Sequence, residues 1–394
     1  MAMSSPGSAS SRCSGHADAV LLGALIRDLR LANGWSQGRL VAALEAASGV
    51  PLTREYVSRR ENGKRSPGRF WLRHLATVLQ VPLTVLEEGE RVDRRTFLTD
   101  LAAGAVAPVV ASDLIGHGFS AALRARPSAQ VWQGKLAAYG RDYMTAGAAE
   151  IQRRLAADLV VLQQQLDTPV MWDVASRLMV LYGKTFPGND GAKAAYWYRM
   201  AAGAADRGGD LRTRVWVRGR AAIALGYEGA ALPLARMFAD QALALDPAPS
   251  LGRLNAIMGK AHAAAVSGDI RTARELLTEG SLVFDAVGSD GGEDSDYAVP
   301  WWRMNVFTSL LAARLGDERL AVQAQDAAAA SLPASMPRFA THLELHRGLM
   351  LARAGDQAAG AAYARAAMAA LPPQKHSLTL RMLLAEIEGH QFGH

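Results

Sequence analysis

Seven basic and two acidic side chains fall between positions 54 and 73 of this 394-residue chain. Among them Arg54, Glu55, Ser58 and Arg59 are spaced so that a short helix would present them outward from its first turns. These residue types can read DNA: arginine donates paired hydrogen bonds to guanine O6 and N7, glutamate accepts from cytosine N4, and serine can do either in the major groove. Gln37, at the start of the preceding helix, and Asn62, Lys64 and Arg65, just past the reading helix, are of the types that hold flanking phosphates and set register. Arg69 and Arg73 are candidates for the same work. Val57 and Tyr56 turn back toward a core, and Glu61 reads as a structural capping or salt-bridging residue. The charge of the chain divides in the same sense. Residues 1–86 hold 11 Lys and Arg against 5 Asp and Glu, a net +6, whereas residues 87–394 hold 32 of each. All the excess positive charge therefore lies where a polyanion would be met.

Those side chains need a rigid frame. A flexible Ser/Gly-rich start, residues 1–20, precedes a first helix over 21–31 with Leu22, Leu25, Ile26 and Leu29 at helical spacing and a stop at Asn33-Gly34. Ser36 caps a second helix carrying Leu40, Val41 and Leu44, and the segment EAASGVPL forms a long connection. Thr53 caps the reading helix, REYVSRRE, which Asn62-Gly63 closes. Pro67 opens a fourth helix with Phe70, Trp71, Leu72, Leu75, Val78 and Leu79 facing inward, and a fifth, short helix covers Leu83 to Leu86. Residues 21–88 thus predict five short helices around one core.

Taken together, WSQGRLVAAL, TREYVSRRENG and SPGRFWLRHLATVLQVPLTVL resemble the helix-turn-helix of the Cro/XRE, lambda-repressor-like type: Ser-Gln, an apolar Leu-Val pair, a recognition helix ending in Glu-Asn-Gly, a Pro, then Leu-Ala before a final Leu. The resemblance implies a domain that binds double-stranded DNA and works as a homodimer, since one such unit rarely buries enough surface for tight specific binding.

The remainder predicts a different architecture. Residues 89–125 read as a linker with a helix. Within it Asp93-Arg94-Arg95-Thr96-Phe97-Leu98 is similar to a twin-arginine export signal, but it follows a complete domain and so reads as part of the linker. From 126 to 394 the chain repeats an alanine-rich helix, a Gly-Asp turn at 268, 316 or 355, and a second amphipathic helix; weaker pairs fall at 171–207 and 211–245. Such a period predicts a TPR-like α-solenoid, giving an all-α chain overall. The acidic segment GSDGGEDSD, 288–296, reads as a solvated loop. Counting back from the Gly-Asp turns picks out Asn255, Arg303 and His342, and Asn305 and Glu344 two residues later, as candidates with Arg220 to line one effector groove.

No phosphate loop, zinc-protease motif, nucleophile elbow or Cys/His metal spacing is present, so the expectation is a non-enzyme without a cofactor. Cys13 alone cannot form an internal disulfide, no apolar run predicts a membrane span, and the expected place is the cytoplasm. The architecture resembles actinobacterial helix-turn-helix regulators fused to TPR domains and, more distantly, the peptide-pheromone sensors of Gram-positive bacteria. It implies a regulator whose repeats bind a peptide, small molecule or protein. The alternatives are an interaction scaffold that only tethers nonspecifically to DNA, and an exported repeat protein made from an internal start.

Overall fold

Capping residues set the helix limits in this chain. The computed structural model describes residues 10–79, 81, 83, 86, 127–186, 191–229, 231–287 and 294–389, and among them forms seventeen α-helices and no strand. The first four are α1 (Ser10–Ala32), α2 (Gln37–Ser48), α3 (Arg54–Glu61) and α4 (Arg69–Leu79). The Ser36 hydroxyl accepts from Arg39 N at 3.2 Å and the Thr53 hydroxyl from Tyr56 N at 3.2 Å, each satisfying a helix-start N–H that would otherwise lack a partner. Leu22, Leu25, Ile26 and Leu29 meet Leu40, Leu44, Val57, Leu72, Leu75 and Leu79 in one buried cluster. Each large side chain so buried contributes about 1.5–3 kcal/mol.

Three expectations are corrected. Residues 10–20 are helical rather than loose, because extending an anchored helix is far cheaper than nucleating one. The connection between α2 and α3 is only residues 49–53, since the Glu45-Ala46-Ala47-Ser48 stretch continues α2. Phe70 is exposed: it lies two residues before buried Leu72, on the opposite side of α4. The linker, its Arg-Arg motif and most of the fifth short helix lie outside the described residues.

A buried ion pair fixes α3 against α1. Arg30 donates to Glu61 through Nε (2.6 Å to Oε1) and a terminal nitrogen (3.0 Å to Oε2), and through its other terminal nitrogen to the Trp35 carbonyl at 2.7 Å. Gly23 lets the backbones touch, since a side chain there would meet the Arg60 carbonyl at 2.3 Å.

The remaining helices are α5 (Ala129–Thr145), α6 (Ala148–Leu162), α7 (Pro169–Gly183), α8 (Gly191–Gly208), α9 (Leu211–Glu228), α10 (Leu232–Leu245), α11 (Leu251–Val266), α12 (Ile270–Val287), α13 (Trp301–Leu315), α14 (Glu318–Ser331), α15 (Pro337–Arg353), α16 (Gln357–Ala370) and α17 (Leu378–Ile387). From α7 to α16 they pack as consecutive pairs, and the first helices of successive pairs lie side by side, ending on α17. The Gly-Asp dipeptides explain the pairing. Gly268, Gly316 and Gly355 adopt φ of 80°, 70° and 103°, and the following Asp carboxylates accept from Thr272, Leu320 and Ala359 N at 3.0–3.1 Å. The glycine ends one helix in a left-handed residue and the aspartate caps the next.

Helix α9 sits at the centre. It meets α11 backbone to backbone: a side chain at Gly226 would lie 2.2 Å from the Gly259 carbonyl, and one at Gly259 2.4 Å from the Ala222 carbonyl carbon. Helices α8 and α10 pack against α1, where Arg199 and Asp28 form an ion pair, so the N-terminal helices are joined to this body. Among the described residues no helix is long and apolar enough to cross a membrane.

Two stability predictions follow from these contacts. Glu61→Ala leaves Arg30 buried without its counter-charge and is expected to cost about 3–5 kcal/mol in the first calorimetric transition, whereas the double change to Met at Arg30 and Glu61 recovers most of that loss. Gly259→Val forces α9 and α11 apart and is expected to cost about 3 kcal/mol, read as a lowered transition for the helical body.

Candidate nucleic-acid interface

Helix α3 carries polar residues on its outer side and apolar ones on its inner side. Arg54, Glu55 and Arg59 are exposed, Ser58 is half-buried, and Val57 is buried. Beneath them Tyr56 and Arg60 form a stack: the Arg60 guanidinium lies 3.1 Å from the Tyr56 ring centroid, one of its terminal nitrogens donates to the Tyr56 carbonyl at 3.2 Å, and the Trp71 ring lies 5.2 Å from the Tyr56 ring, centroid to centroid. Burial pushes the Tyr56 hydroxyl up to about 12 despite Arg60 beside it, so it stays a neutral phenol.

The expected contact residues fall into two groups. Arg59 donates to Glu55 at 2.6 Å, with both side chains more than half exposed. Such a pair contributes a few tenths of a kcal/mol, so both groups are cheaply redirected toward a base. Arg54 Nε donates to Gln37 Oε1 at 3.3 Å, and Gln37 Nε2 donates to Glu61 Oε2 at 2.8 Å. Gln37 therefore links the first residue of α2 to both ends of α3, a positioning contact in addition to any on phosphate. Asn62 Nδ2 donates to the Ser58 carbonyl at 2.8 Å and to its hydroxyl at 3.3 Å. Lys64 and Arg65 project from the turn after α3, and Arg39 of α2 adds an exposed cation that sequence reasoning did not single out. The face made by α3, its following turn and the start of α2 thus carries exposed cations, of which Arg54 and Arg59 are hydrogen-bonded to Gln37 and Glu55.

The six residues expected to share one effector groove do not all meet. Arg220, Arg303 and His342 line a cavity of about 80 Å³ inside the helical body. Asn305 donates to the Trp301 carbonyl at 2.9 Å and lines a different cavity beside Phe284. Glu344 accepts from Arg347 at 2.7 Å and from Tyr363, and Asn255 is buried in α11, its Oδ1 unpartnered, away from that cavity. Residues two apart on a helix point in nearly opposite directions, so Arg303 and Asn305 cannot face one groove.

The centre of this region escaped sequence reasoning altogether. Asp296, within the segment expected to be a solvated loop, is 1 % exposed. Its carboxylate accepts from Lys184, from Arg220 at 2.9 and 3.0 Å, and from Arg303 at 2.9 Å, while its backbone N–H donates to the Gly140 carbonyl at 2.8 Å. Burial alone would raise this carboxyl, but Arg220, Lys184 and Arg303 outweigh it and hold it far below the usual range. The correction has a physical reason: Arg220 and Arg303 are themselves buried and donate directly to Asp296, which holds the end of the acidic segment out of water. Lys184, Glu228 and Arg338 also line the cavity and likewise carry no sequence motif.

Residues 21–89 match the family model of the helix-turn-helix domain. No curated protein and no solved structure matches the chain. The exposed α3 surface described above therefore belongs to a helix-turn-helix domain, the feature that points to a DNA-binding regulator.

Proposed function

We propose that the chain is a cytoplasmic transcriptional regulator of the Cro/XRE type, not an enzyme, that binds double-stranded DNA as a homodimer. In this reading α3 enters the major groove, Arg54, Glu55, Ser58 and Arg59 read base edges, and Gln37, Asn62, Lys64 and Arg65 hold phosphates. The paired helices from α7 onward act as a TPR-like body that senses an effector and sets the dimer arrangement. One observation carries the proposal. The whole net charge of the chain resides in residues 1–86, and its exposed cations cluster on α3 and the turn after it, on a helix locked to the core by Arg30 and Glu61. A helix with a purely structural role needs no such outward surplus.

The test is selection of bound genomic fragments by the purified full chain at about 150 mM salt, the regime in which phosphate contacts are weakened. A sharp, two-fold symmetric motif is expected, and Arg54→Ala and Arg59→Ala should each lower affinity for it about 5- to 150-fold while blurring specific positions. Lys64→Ala should weaken binding to all sequences alike and reduce the slope of log affinity against log salt by about 1. Salt-sensitive binding with no motif, unchanged by either arginine substitution, would instead make the chain a scaffold with nonspecific tethering.

A further inference from the structure

The cavity around Arg220 holds more positive charge than its own acids neutralise. Three guanidiniums line it, those of Arg220, Arg303 and Arg338, each less than 10 % exposed. Against them stand Asp296, already shared between Arg220, Arg303 and Lys184, and Glu228, which accepts from the Thr379 hydroxyl at 3.0 Å. Burial pushes the Glu228 carboxyl up to about 7, so near neutral pH it cancels only part of the excess. Two donors are also left over: the Nε groups of Arg220 and Arg303 are buried and have no hydrogen-bond partner. A buried N–H of a cation without an acceptor costs about 1–3 kcal/mol or more, so two such groups at one cavity favour an acceptor there.

The walls restrict what can supply that compensation. Arg338 lies over the Tyr143 ring at 5.0 Å and beside the Phe339 ring at 5.3 Å, and Arg303 is 6.0 Å from the Phe307 ring. His342 offers no further charge, because burial with Arg338 nearby pushes it down to about 3 and leaves it a neutral imidazole. At about 80 Å³ the cavity exceeds a single water several-fold but is too small for a folded peptide segment. We infer that it binds an oxyanion, the phosphate or carboxylate head of a small molecule, with Arg220, Arg303 and Arg338 as donors and the aromatic rings against its apolar part. The inference deepens the reading of the helical body as the sensing part and names the chemistry sensed. Helix α9 carries Arg220 and Glu228, and it packs on α10, which packs on α1.

Calorimetric titration and thermal unfolding of the full chain, with inorganic phosphate in one arm and acetate in the other at constant ionic strength, provide the test. A saturable heat and a rise in the unfolding temperature of the helical body are expected in at least one arm. Phosphate alone indicates a phosphoryl head, and acetate alone a carboxylate. Arg338→Met, which leaves the Asp296 cluster intact, should weaken binding about tenfold or more. Glu228→Gln should tighten it several-fold by removing a negative charge. Lys64→Ala, on the α3 side of the chain, should leave the anion heat and the unfolding temperature of the helical body as they are. Saturable binding that Lys64→Ala abolishes, or that neither Arg338→Met nor Glu228→Gln alters, overturns the inference, as does the absence of saturable binding in both arms. No step of this test uses DNA. Anion binding that persists in a chain lacking a DNA motif therefore upholds the cavity's ligand while the regulator reading fails, and the converse result separates the two as cleanly.

Discussion

A single buried carboxylate ties the helical body together. Asp296 joins the end of α5 through the Gly140 carbonyl, the residue after α7 through Lys184, the middle of α9 through Arg220 and the start of α13 through Arg303. A charge withdrawn from water costs several kcal/mol, and here it is offset because Lys184, Arg220 and Arg303 converge on it with hydrogen bonds. The arrangement works in one register. Shift α9, α13 or the end of α7 by a helical residue and a cation is stranded; shift α5 and the Asp296 N–H loses the Gly140 carbonyl. The alanine- and glycine-rich faces can slide; the Asp296 cluster stops them.

The N-terminal helices repeat this solution on a smaller scale. Glu61 is the buried acid, Arg30 its paired cation and Gln37 the neutral extension that reaches Arg54 on the surface. Through that sequence of contacts, Arg54 on the exposed side of α3 is oriented by a group that never leaves the core. The difference lies in how the remaining cations are used. On α3 they stay in water, where Arg59 and Glu55 pair weakly and can be redirected. In the body Arg220 and Arg303 share Asp296 and Arg338 donates to the Tyr143 carbonyl, while rings line the same cavity and the Nε groups of Arg220 and Arg303 are left without a partner. An exposed cation suits a long, hydrated polyanion, and a walled one suits a small anion that must shed its water to enter.

What could be read from the sequence was what depends on local chemistry. Caps at Ser36 and Thr53, the Gly-Asp turns, and the apolar spacing of α1 and α2 all act within a turn or two of helix, so their effects were visible one segment at a time. Errors arose wherever a distant partner decided the outcome. Residues 10–20 carry weak helix signals and become helical as an extension of an anchored helix. Phe70 is the exception, since its phase on α4, a local signal, already opposes that of Leu72. Asp296 was the largest miss, because its segment is polar and glycine-rich and nothing local says that Lys184, Arg220 and Arg303, up to 112 residues away in sequence, will close on it.

The join between the two parts carries the remaining argument. Helix α1 belongs to the N-terminal core through Leu22, Leu25, Ile26 and Leu29, yet its other side rests on α8 and α10 and meets Arg199 through Asp28. The same helix that holds Glu61 through Arg30 is therefore held by the body two residues earlier, at Asp28. A helix is stiff over this distance, so a shift of α8 or α10 has to move Arg30 as well, or break the ion pair at Asp28. Coupling between a ligand and α3 needs two arrangements of one shared element that each site favours differently. Among the described residues helix α1 meets that geometric requirement: it is packed on both sides and tied to each by one ion pair, Arg30–Glu61 and Asp28–Arg199.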